Sequence, residues 1–373
     1  MLTGPRRFEV QDVAAPVAGP GGAVIDVQRV GVCGTDVEFY TGEMQYLHEG
    51  HAAFPLRLGH EWMGVVSAVG DGVDTAWLGR RVTGDTMLGC GRCRRCLGGQ
   101  QHVCEFRFEV GIRGGYPGAL AEQLEMPVSH LLALPDAVDD TMGALVEPGG
   151  NALRAVRAAQ LSPGDRVLVL GPGTIGLLVA LIARAQGAEV HLLGRTARSL
   201  EFARGLGFEG VWGDGVSGDG AALPTELPDG RADRPGLPAL PGLPALPALP
   251  ALPDLPWDAV IDASNAPELP ARALELVEPG KRVVYVGLAG SPSLLDTRTM
   301  ALKDVTSVGI LSASPGLAGT VELYASEQFT GGAADPRPLV AATVGLEQVG
   351  AVLAGERIAG AGDGPKIHVD PRR

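Results

Sequence analysis

Arg166-Val-Leu-Val-Leu-Gly-Pro-Gly-Thr-Ile-Gly176 is the stretch that decides the fold, because an apolar strand pattern runs directly into a glycine-rich turn. The turn opens a predicted helix over residues 175–186, and a second apolar run, Glu189-Val-His-Leu-Leu, follows it. A strand, a helix and a strand in this order predict a βαβ unit, which begins a parallel sheet. The sequence therefore predicts an α/β fold.

The glycines of this turn are spaced for a particular ligand. A glycine pattern alone is weak evidence, but this one follows a strand and opens a helix, which is the context of a dinucleotide fingerprint. Glycine permits the tight turn and the close approach of a pyrophosphate, and the helix N-terminus offers free backbone donors. The alternative is a purely structural turn. The predicted nucleotide contacts here are Gly171, Gly173, Thr174, Ile175 and Gly176.

The residues after the second strand bear on which nucleotide binds. An NAD site normally has an acidic residue there, but this chain reads Gly194-Arg195-Thr196-Ala-Arg198. A small residue followed by arginines leaves room and positive charge for a 2′-phosphate, so NADP is favoured over NAD. The alternative is that Arg195 and Arg198 are ordinary solvated side chains at a helix start.

Length and composition limit the possible classes of protein. A chain of 373 residues predicts two domains, and 20% charged with 45% hydrophobic residues is typical of a globular protein rather than a disordered one. The net charge of −13 argues against nucleic-acid and anionic-membrane partners. The N-terminus has no secretory pattern, and glycines interrupt the apolar stretch 167–183, so a cytoplasmic protein is expected.

The rest of the chain divides by pattern. Short strand-like runs separated by glycine-rich turns over residues 8–130 predict a β-rich first domain. Strand signals resume at Trp257 and Lys281, with a helix predicted over residues 269–277. Between them, at about residues 213–256, Leu-Pro-Ala repeats replace the periodic pattern, and proline disfavours both helix and central strand. This segment is predicted to be a low-complexity surface insertion.

Four of the five cysteines lie close together, at Cys90, Cys93, Cys96 and Cys104. Four thiolates can complete a tetrahedral zinc site, and such a closed site supports structure rather than catalysis. Two disulfides or reduced cysteines in a loop are the alternatives, but absence of a secretory pattern favours metal.

A second possible metal site is dispersed along the chain. Cys33, the pair His60-Glu61, and Glu147 together offer the mixture of soft and hard ligands that catalytic zinc uses. Individually, each is equally consistent with a core cysteine, a surface His-Glu pair or a solvated carboxylate. Spacing alone leaves both interpretations open.

These motifs, in this order, resemble the zinc-dependent medium-chain dehydrogenase/reductase superfamily, the alcohol dehydrogenase superfamily, over nearly the whole chain. The resemblance implies a GroES-like β-rich catalytic domain from residues 1–152 and 315–373, with a structural zinc lobe at about 88–106. It also implies a Rossmann domain with a doubly wound parallel sheet over residues 153–314. Two zinc ions per chain, NADP or NAD, and a homodimer or homotetramer are expected.

The resemblance also implies individual roles. Cys33, His60 and Glu147 would bind catalytic zinc, with Glu61 as an exchangeable ligand or a neighbour of the ligands. Asp36 would orient His60, and Thr35 would pass the substrate proton toward solvent. The nicotinamide would be held by backbone near two segments, whose predicted contacts are Val286, Gly287, Leu288, Leu311 and Ser312.

The branch of the superfamily is suggested by a few positions. Glu38 stands where sorbitol, threonine and alcohol dehydrogenases commonly carry histidine, which resembles the glucose dehydrogenase branch, and Glu38 is a hypothetical proton acceptor. Glu109 and Asn151 are expected substrate contacts. Leu302 and Ser312 occupy two positions that would contact sugar in that branch, which argues against glucose itself.

The resulting prediction is an oxidoreductase that transfers hydride between NAD(P) and a primary or secondary alcohol, such as a sugar, polyol or other small polar alcohol. One alternative is an NAD-dependent sorbitol-like or threonine-like dehydrogenase. Another, of a different class, is a non-catalytic nucleotide-binding relative, although that would be expected to lack Cys33, His60 or Glu147. A zinc-lobe interaction module is disfavoured, because only three arginines surround the cysteines.

Overall fold

The computed structural model describes residues 1–216, 252–288 and 290–373, and for residues 214–216 it describes the backbone alone. The chain forms two compact units, one of residues 1–154 and 311–373 and one of residues 155–310. Most of the predicted low-complexity insertion, residues 217–251, lies outside the described residues.

The strands of the described residues are numbered in chain order. They are β1 Leu2–Gly4, β2 Arg7–Phe8, β3 Gly22–Gly31, β4 Glu61–Val69, β5 Arg81–Gly84, β6 Met87–Leu88, β7 Phe108–Glu109, β8 Gln123–Pro127, β9 Leu131–Ala133, β10 Arg166–Leu170, β11 Glu189–Thr196, β12 Gly210–Val216, β13 Trp257–Asp262, β14 Val277–Tyr285, β15 Thr306–Gly309, β16 Val340–Val344 and β17 Lys366–Val369.

The α-helices are numbered in the same way. They are α1 Gly34–Thr41, α2 Gln45–His48, α3 Arg94–Leu97, α4 Asp140–Ala144, α5 Val146–Ala159, α6 Thr174–Ala185, α7 Ala197–Gly205, α8 Leu269–Leu276, α9 Thr297–Leu302, α10 Leu317–Tyr324 and α11 Val349–Leu353.

The unit of residues 155–310 is built on a six-stranded sheet in the order β12-β11-β10-β13-β14-β15. All neighbouring strands are parallel. The chain moves outward from β10 to β12 and then to the other side of β10, which is the doubly wound arrangement. Val167–Leu170 of β10 is fully buried, as expected for a central strand covered on both faces. The predicted α/β fold is confirmed.

The other unit contains a seven-stranded sheet in which β16, β17, β3, β4, β5 and β9 follow one another and β8 pairs with β3. β3 is central, with antiparallel partners β4, β8 and β17. In β8, Leu124 and Met126 are buried while their neighbours are half-buried, since alternate side chains of a strand face opposite ways. Ile25, Trp62 and Val369 belong to the same core.

Some predicted boundaries shift. The sequence predicted that the second strand ends before Gly194. In the structure, β11 continues to Thr196, because its parallel pairing with β12 extends that far. β12 itself reaches Val216, beyond the predicted start of the insertion. Within residues 1–216, 252–288 and 290–373, none of the helices has the length and apolar character needed to cross a membrane.

Candidate metal centre and nucleotide-binding turn

Cys33 lies between β3 and α1, as the residue that precedes the first turn of the helix. Its backbone N–H donates to Oδ2 of Asp36 at 2.9 Å, so Asp36 caps the helix and fixes the loop that carries the thiol. The same helix carries Thr35, which is half-buried, and Glu38, which is exposed. Sheet and helix together therefore position Cys33.

His60 and Glu61 lie at the start of β4, next to the end of β3. The antiparallel register pairs Glu61 with Gly31, two residues before Cys33, and so brings the predicted ligands together. One ligand atom from each of Cys33, His60 and Glu61 lies within 4.8 Å of the others. A thiol, an imidazole and a carboxylate at this separation form a donor set that suits zinc.

The His60 ring is buried beside Asp36. Its Nδ1 lies 3.6 Å from Oδ1 of Asp36, a charge contact rather than a hydrogen bond, and it has no hydrogen-bond partner among the described residues. Burial favours the neutral imidazole, but the charge of Asp36, followed by that of Cys33, raises the pKa of His60 well above its ordinary value. Asp36 therefore lies where it can orient the ring.

Glu147 lies in the first turn of α5 and is 8% exposed. The close group of Cys33, His60 and Glu61 does not include it. Instead, Nδ2 of Asn151, one helical turn later, donates to Oε1 of Glu147 at 3.2 Å. Burial raises the pKa of Glu147 to about 7, with His60 opposing and Glu61 adding to this shift. Glu147 is thus electrostatically connected to the centre, and Asn151 supports it.

Sequence reasoning missed Lys366, the first residue of β17. Its Nζ donates to Oε1 of Glu61 at 2.8 Å and to Oε2 at 2.7 Å, and also to the carbonyl of Val32 at 2.9 Å. Both side chains are buried, with 4% of Lys366 and 1% of Glu61 exposed. A lysine at the start of a predominantly buried strand was the available signal, but the sequence could not identify its partner.

The four remaining cysteines form a second close group. Their sulfurs are 3.5 Å apart for Cys93 and Cys96, 3.7 Å for Cys93 and Cys104, and 3.9 Å for Cys90 and Cys96. A disulfide needs about 2.0 Å. Four sulfurs about 2.3 Å from a central zinc ion lie about 3.8 Å from one another in a tetrahedron. The sulfur arrangement therefore fits a closed zinc site.

The nucleotide turn joins β10 to α6. Gly171 has a φ of 89°, which glycine adopts readily, and a Cβ on Gly176 would lie 1.9 Å from the carbonyl oxygen of Gly171. The turn thus requires glycine at both positions. Gly173 precedes the helix, and a Cβ at this position would meet no atom within 4 Å. Thr174 and Ile175 lie in the first helical turn. This open helix N-terminus suits a phosphate group.

At the end of β11, Gly194 is buried while Arg195, Thr196 and Arg198 are exposed. Thr196 caps α7, because its hydroxyl accepts from the N–H of Ser199 at 3.2 Å. A Cβ on Gly194 would lie 2.6 Å from Cγ of Pro172, so the strand end packs closely against the glycine turn. The predicted 2′-phosphate contacts therefore lie next to the predicted pyrophosphate turn.

The predicted nicotinamide segments divide between the two units. Val286, Gly287 and Leu288 follow β14 in the unit of residues 155–310, whereas Leu311 and Ser312 belong to the other unit. The N–H groups of Val286 and Gly287 both donate to the carbonyl of Asp262 at 2.9 Å. This contact holds the Val286–Gly287 backbone at the end of β13.

Asp262 is a second residue that sequence reasoning missed. It is 3% exposed, and its Oδ1 accepts from Oγ of Ser264 at 2.6 Å. A Cβ on Gly171 would meet Ser264 at 3.1 Å, so this pair lies against the nucleotide turn. The signal in the sequence was a carboxylate at the end of a strand, where parallel sheets bind ligands.

Glu109, an expected substrate contact, is buried at the end of β7. Its Oε1 accepts from Nε of Arg107 at 2.7 Å and from the hydroxyl of Tyr46 at 3.2 Å. The carboxylate is therefore already satisfied by protein groups. The structure brings it together with these two residues rather than into the close group of Cys33, His60 and Glu61.

Comparison with known proteins agrees with these features. Residues 19–136 match the alcohol dehydrogenase GroES-like domain. L-threonine 3-dehydrogenase of Idiomarina loihiensis is 37% identical over 197 residues, which cover 52% of this chain and 56% of that protein. The Legionella pneumophila (strain Corby) enzyme of the same name is 34% identical over 199 residues, covering 53% and 57%. The chain thus spans about half the length of these relatives.

Solved structures resemble nearly the whole chain. A dehydrogenase of the zinc-binding type from Sinorhizobium meliloti 1021, solved bound to NADP, is 25% identical with a TM-score of 0.78, covering 99% of this chain and 98% of that one. The 2R,3R-butanediol dehydrogenase of Bacillus subtilis is 22% identical with a TM-score of 0.76 and the same coverage, a likeness of fold. The two-unit architecture of this chain is therefore that of GroES-like plus Rossmann dehydrogenases.

Proposed function

We propose that this chain, a member of the zinc-dependent medium-chain alcohol dehydrogenase superfamily, is an oxidoreductase that transfers hydride between NAD(P) and a primary or secondary alcohol. A sugar, polyol or other small polar alcohol is the proposed substrate class. The observation that carries the proposal is the convergence of Cys33, His60 and Glu61 within 4.8 Å in a chain that also presents the Gly171–Gly176 turn.

The metal is proposed to be zinc at both cysteine-containing groups. Cys33 and His60, with a carboxylate from Glu61 or Glu147, would hold the catalytic ion, and Cys90, Cys93, Cys96 and Cys104 the structural one. Zinc held there would supply a lower pKa for a bound alcohol, and a bound nicotinamide would supply the hydride acceptor. The protein's part is to fix ligands, orient the substrate and move one proton.

The proton is proposed to leave through α1. Thr35 and Glu38 are three residues apart, so they lie on the same helix face, immediately after the ligand Cys33. The Thr35 hydroxyl would accept the substrate proton and pass one to Glu38. Partial burial, and then repulsion from Glu43, raise the pKa of Glu38 above its ordinary value, which suits a group that accepts and releases protons.

The cofactor is proposed to be NADP rather than NAD. Arg195 and Arg198 are exposed at the end of β11 and the start of α7. No acidic side chain occupies positions 194–198, where an NAD enzyme would bind the ribose hydroxyls. Arginine guanidinium groups bind phosphate through charge-assisted hydrogen bonds.

A threonine-like, NAD-dependent dehydrogenase is the second candidate. It is favoured by the 37% and 34% identity with L-threonine 3-dehydrogenases, which covers about half of each chain. Glu38 argues for the first candidate, since histidine is common at this position in the threonine branch. The two candidates differ in both substrate and cofactor, so one experiment separates them.

The test is reduction of NADP and NAD, followed by absorbance, with zinc-loaded protein and a panel of sugars, polyols, amino alcohols and simple alcohols. Turnover of a sugar or polyol with NADP supports the main proposal. Turnover of threonine with NAD selects the second candidate and shows that Arg195 was misinterpreted. Cofactor binding without turnover of any alcohol, in protein carrying two zinc ions, contradicts the proposed reaction.

Assembly and location are two further parts of the proposal. The proposed assembly, from resemblance to the superfamily, is a homodimer or homotetramer, and the proposed location is the cytoplasm. Size-exclusion chromatography with light scattering measures the first, and cell fractionation the second.

A further inference from the structure

The chain passes between the two units twice, after Arg154 and again before Leu311. The guanidinium group of Arg154 donates to the carbonyl oxygens of both Leu311 and Ser312. The residue at the first passage therefore holds the backbone at the second. Arg154, Leu311 and Ser312 all belong to the unit of residues 1–154 and 311–373, so these hydrogen bonds lie within one unit.

The returning backbone has an unusual conformation at Ser312. Its φ is 71°, in the left-handed region that residues other than glycine adopt at a cost of about 1–3 kcal/mol. The Ser312 hydroxyl lies 3.0 Å from that of Ser314 and accepts from the N–H of Ser314 at 3.2 Å. Such a conformation persists only where surrounding contacts impose it. The contacts of Ser314 thus help to hold Ser312.

Ser314 is in turn bound to Asp85, which is 5% exposed. The Ser314 hydroxyl donates to Oδ1 of Asp85 at 2.6 Å, and Nε2 of Gln101 donates to Oδ2 at 3.1 Å. The N–H of Met87 donates to Oδ1 at 2.9 Å. One buried carboxylate therefore connects the returning segment to Gln101.

Gln101 belongs to the cysteine lobe. It begins a short 3-10 helix that ends one residue before Cys104. A Cβ on Gly89 would lie 2.7 Å from Cβ of Gln101 and 2.8 Å from the sulfur of Cys96. Gln101 and the sulfur of Cys96 therefore both pack against Gly89.

We infer that Asp85 is a positioning residue that transmits the state of the four-cysteine metal site to the Leu311–Ser314 segment, and through it to nicotinamide cofactor binding. Zinc at the four thiolates orders the lobe, since a metal-bound loop has fewer accessible conformations. The ordered lobe preserves the hydrogen bonds that Gln101 and Ser314 donate to Asp85, and Ser312 then keeps its conformation. The last step, to the cofactor, rests on the proposed function.

The first experiment uses hydrogen exchange of zinc-loaded protein without cofactor. Ser314→Ala removes the bond to Asp85, and we expect amide exchange in residues 311–316 to accelerate by about tenfold. Ser326→Ala is the matched control, because that hydroxyl donates only to the carbonyl of Leu323 in the same unit. Exchange that is unchanged in Ser314→Ala overturns the inference.

The second experiment tests the metal. Cys104→Ser should lose one zinc ion and accelerate exchange at 311–316 in the wild-type background, but add little in the Ser314→Ala background. Equal acceleration in both backgrounds shows that the effect does not pass through Asp85. Should Cys104→Ser fail to fold, Gln101→Met tests the same route in fully metal-loaded protein, with the same expected acceleration.

The cofactor step is measured by fluorescence titration with NADPH. Ser314→Ala and Gln101→Met should each weaken binding by about tenfold, while Ser326→Ala does not. If amide exchange at 311–316 changes in the variants but their affinity for NADPH does not, the proposed effect on cofactor binding is overturned, while the route from the lobe to the segment stands. If the wild-type protein binds neither NADPH nor NADH, the proposed function fails, and the exchange results still decide the route from lobe to segment.

Discussion

The ammonium group of Lys366 lies 2.7 Å from Oε2 of Glu61, although 305 residues separate them in the chain. Both groups are buried, and the lysine also donates to the carbonyl of Val32, beside the proposed ligand Cys33. Burial alone would lower the pKa of Lys366, but Glu61, followed by Cys33, holds it above its ordinary value. The pair fixes Glu61 at the edge of the candidate metal centre and balances its charge.

Removal of the cation should therefore be costly. Lys366→Met leaves the Glu61 carboxylate buried without its partner, and we expect a loss of about 3–5 kcal/mol in the free energy of unfolding, measured in urea. Glu61→Gln in the same background should recover part of this loss. Lys366→Arg should retain most of the stability.

Lys281→Met is the matched control for this variant. Lys281 pairs with Asp258 at 2.6 Å, but it is 42% exposed, so its removal should cost at most about 1 kcal/mol. Equal losses in the two lysine variants would show that the buried pair contributes no more than a surface one.

Arg195 should determine the choice of cofactor. Arg195→Ala removes a cation beside the proposed 2′-phosphate site, and kcat/KM with NADP should fall by about ten- to a hundredfold while that with NAD changes little. Arg157→Ala, at an exposed position on α5, is the control. A parallel loss with both cofactors would contradict a role in 2′-phosphate binding.

Glu38 should act through its protonation state. A base must be deprotonated to act, so activity should rise as pH increases through the pKa of Glu38, and Glu38→Gln should lose this dependence together with about a hundredfold in kcat. Glu43→Gln removes a charge that raises the pKa of Glu38, so the rise should move to lower pH. Unchanged turnover and pH profile in Glu38→Gln would reject the hypothesis.

His368 should make the protein sensitive to acid. It is fully buried in β17, neither ring nitrogen has a hydrogen-bond partner among the described residues, and burial, aided by Lys366 and Arg29, lowers its pKa to about 3. Below about pH 6.5 the unfolded chain takes up a proton that the folded protein does not. The free energy of unfolding therefore carries no penalty from His368 above that pH, and it decreases as the pH falls from about 6.5 toward 3.

The substitution His368→Leu should remove this dependence. Relative to the wild type, its free energy of unfolding should improve by about 1.4 kcal/mol for each pH unit below about 6.5, as measured by urea denaturation. His48→Gln changes an exposed histidine and should leave the slope unaltered. Parallel stability curves for wild type and His368→Leu would show that the ring gains a proton in the folded protein.

Features encoded by neighbouring residues could be predicted from the sequence. The Gly171–Gly176 turn and the four-cysteine group each occupy one short segment, and local spacing indicates their geometry. The parallel direction of β10 and β11 also follows from the strand, helix and strand order, because parallel strands need a crossover connection.

Contacts that depend on strand register could not be predicted in the same way. Lys366 reaches Glu61 only because β17 lies beside β3 and β3 beside β4, and no local pattern specifies that order. Asp85 meets Ser314 across 229 residues, and no local pattern specifies that contact either. Glu147 lies outside the close group and accepts a hydrogen bond from Asn151, a contact that the motif does not specify.

The placement of β17 has a consequence for how the chain matures on the ribosome. β3 emerges early in translation, but its neighbour β17 is made after all of residues 155–310. Until then, Glu61 has no ammonium counterion, and one edge of a central strand is uncovered and able to pair with other chains. The nascent protein therefore depends on a strand made after residues 155–310 both to balance the charge of Glu61 and to cover the exposed edge of β3.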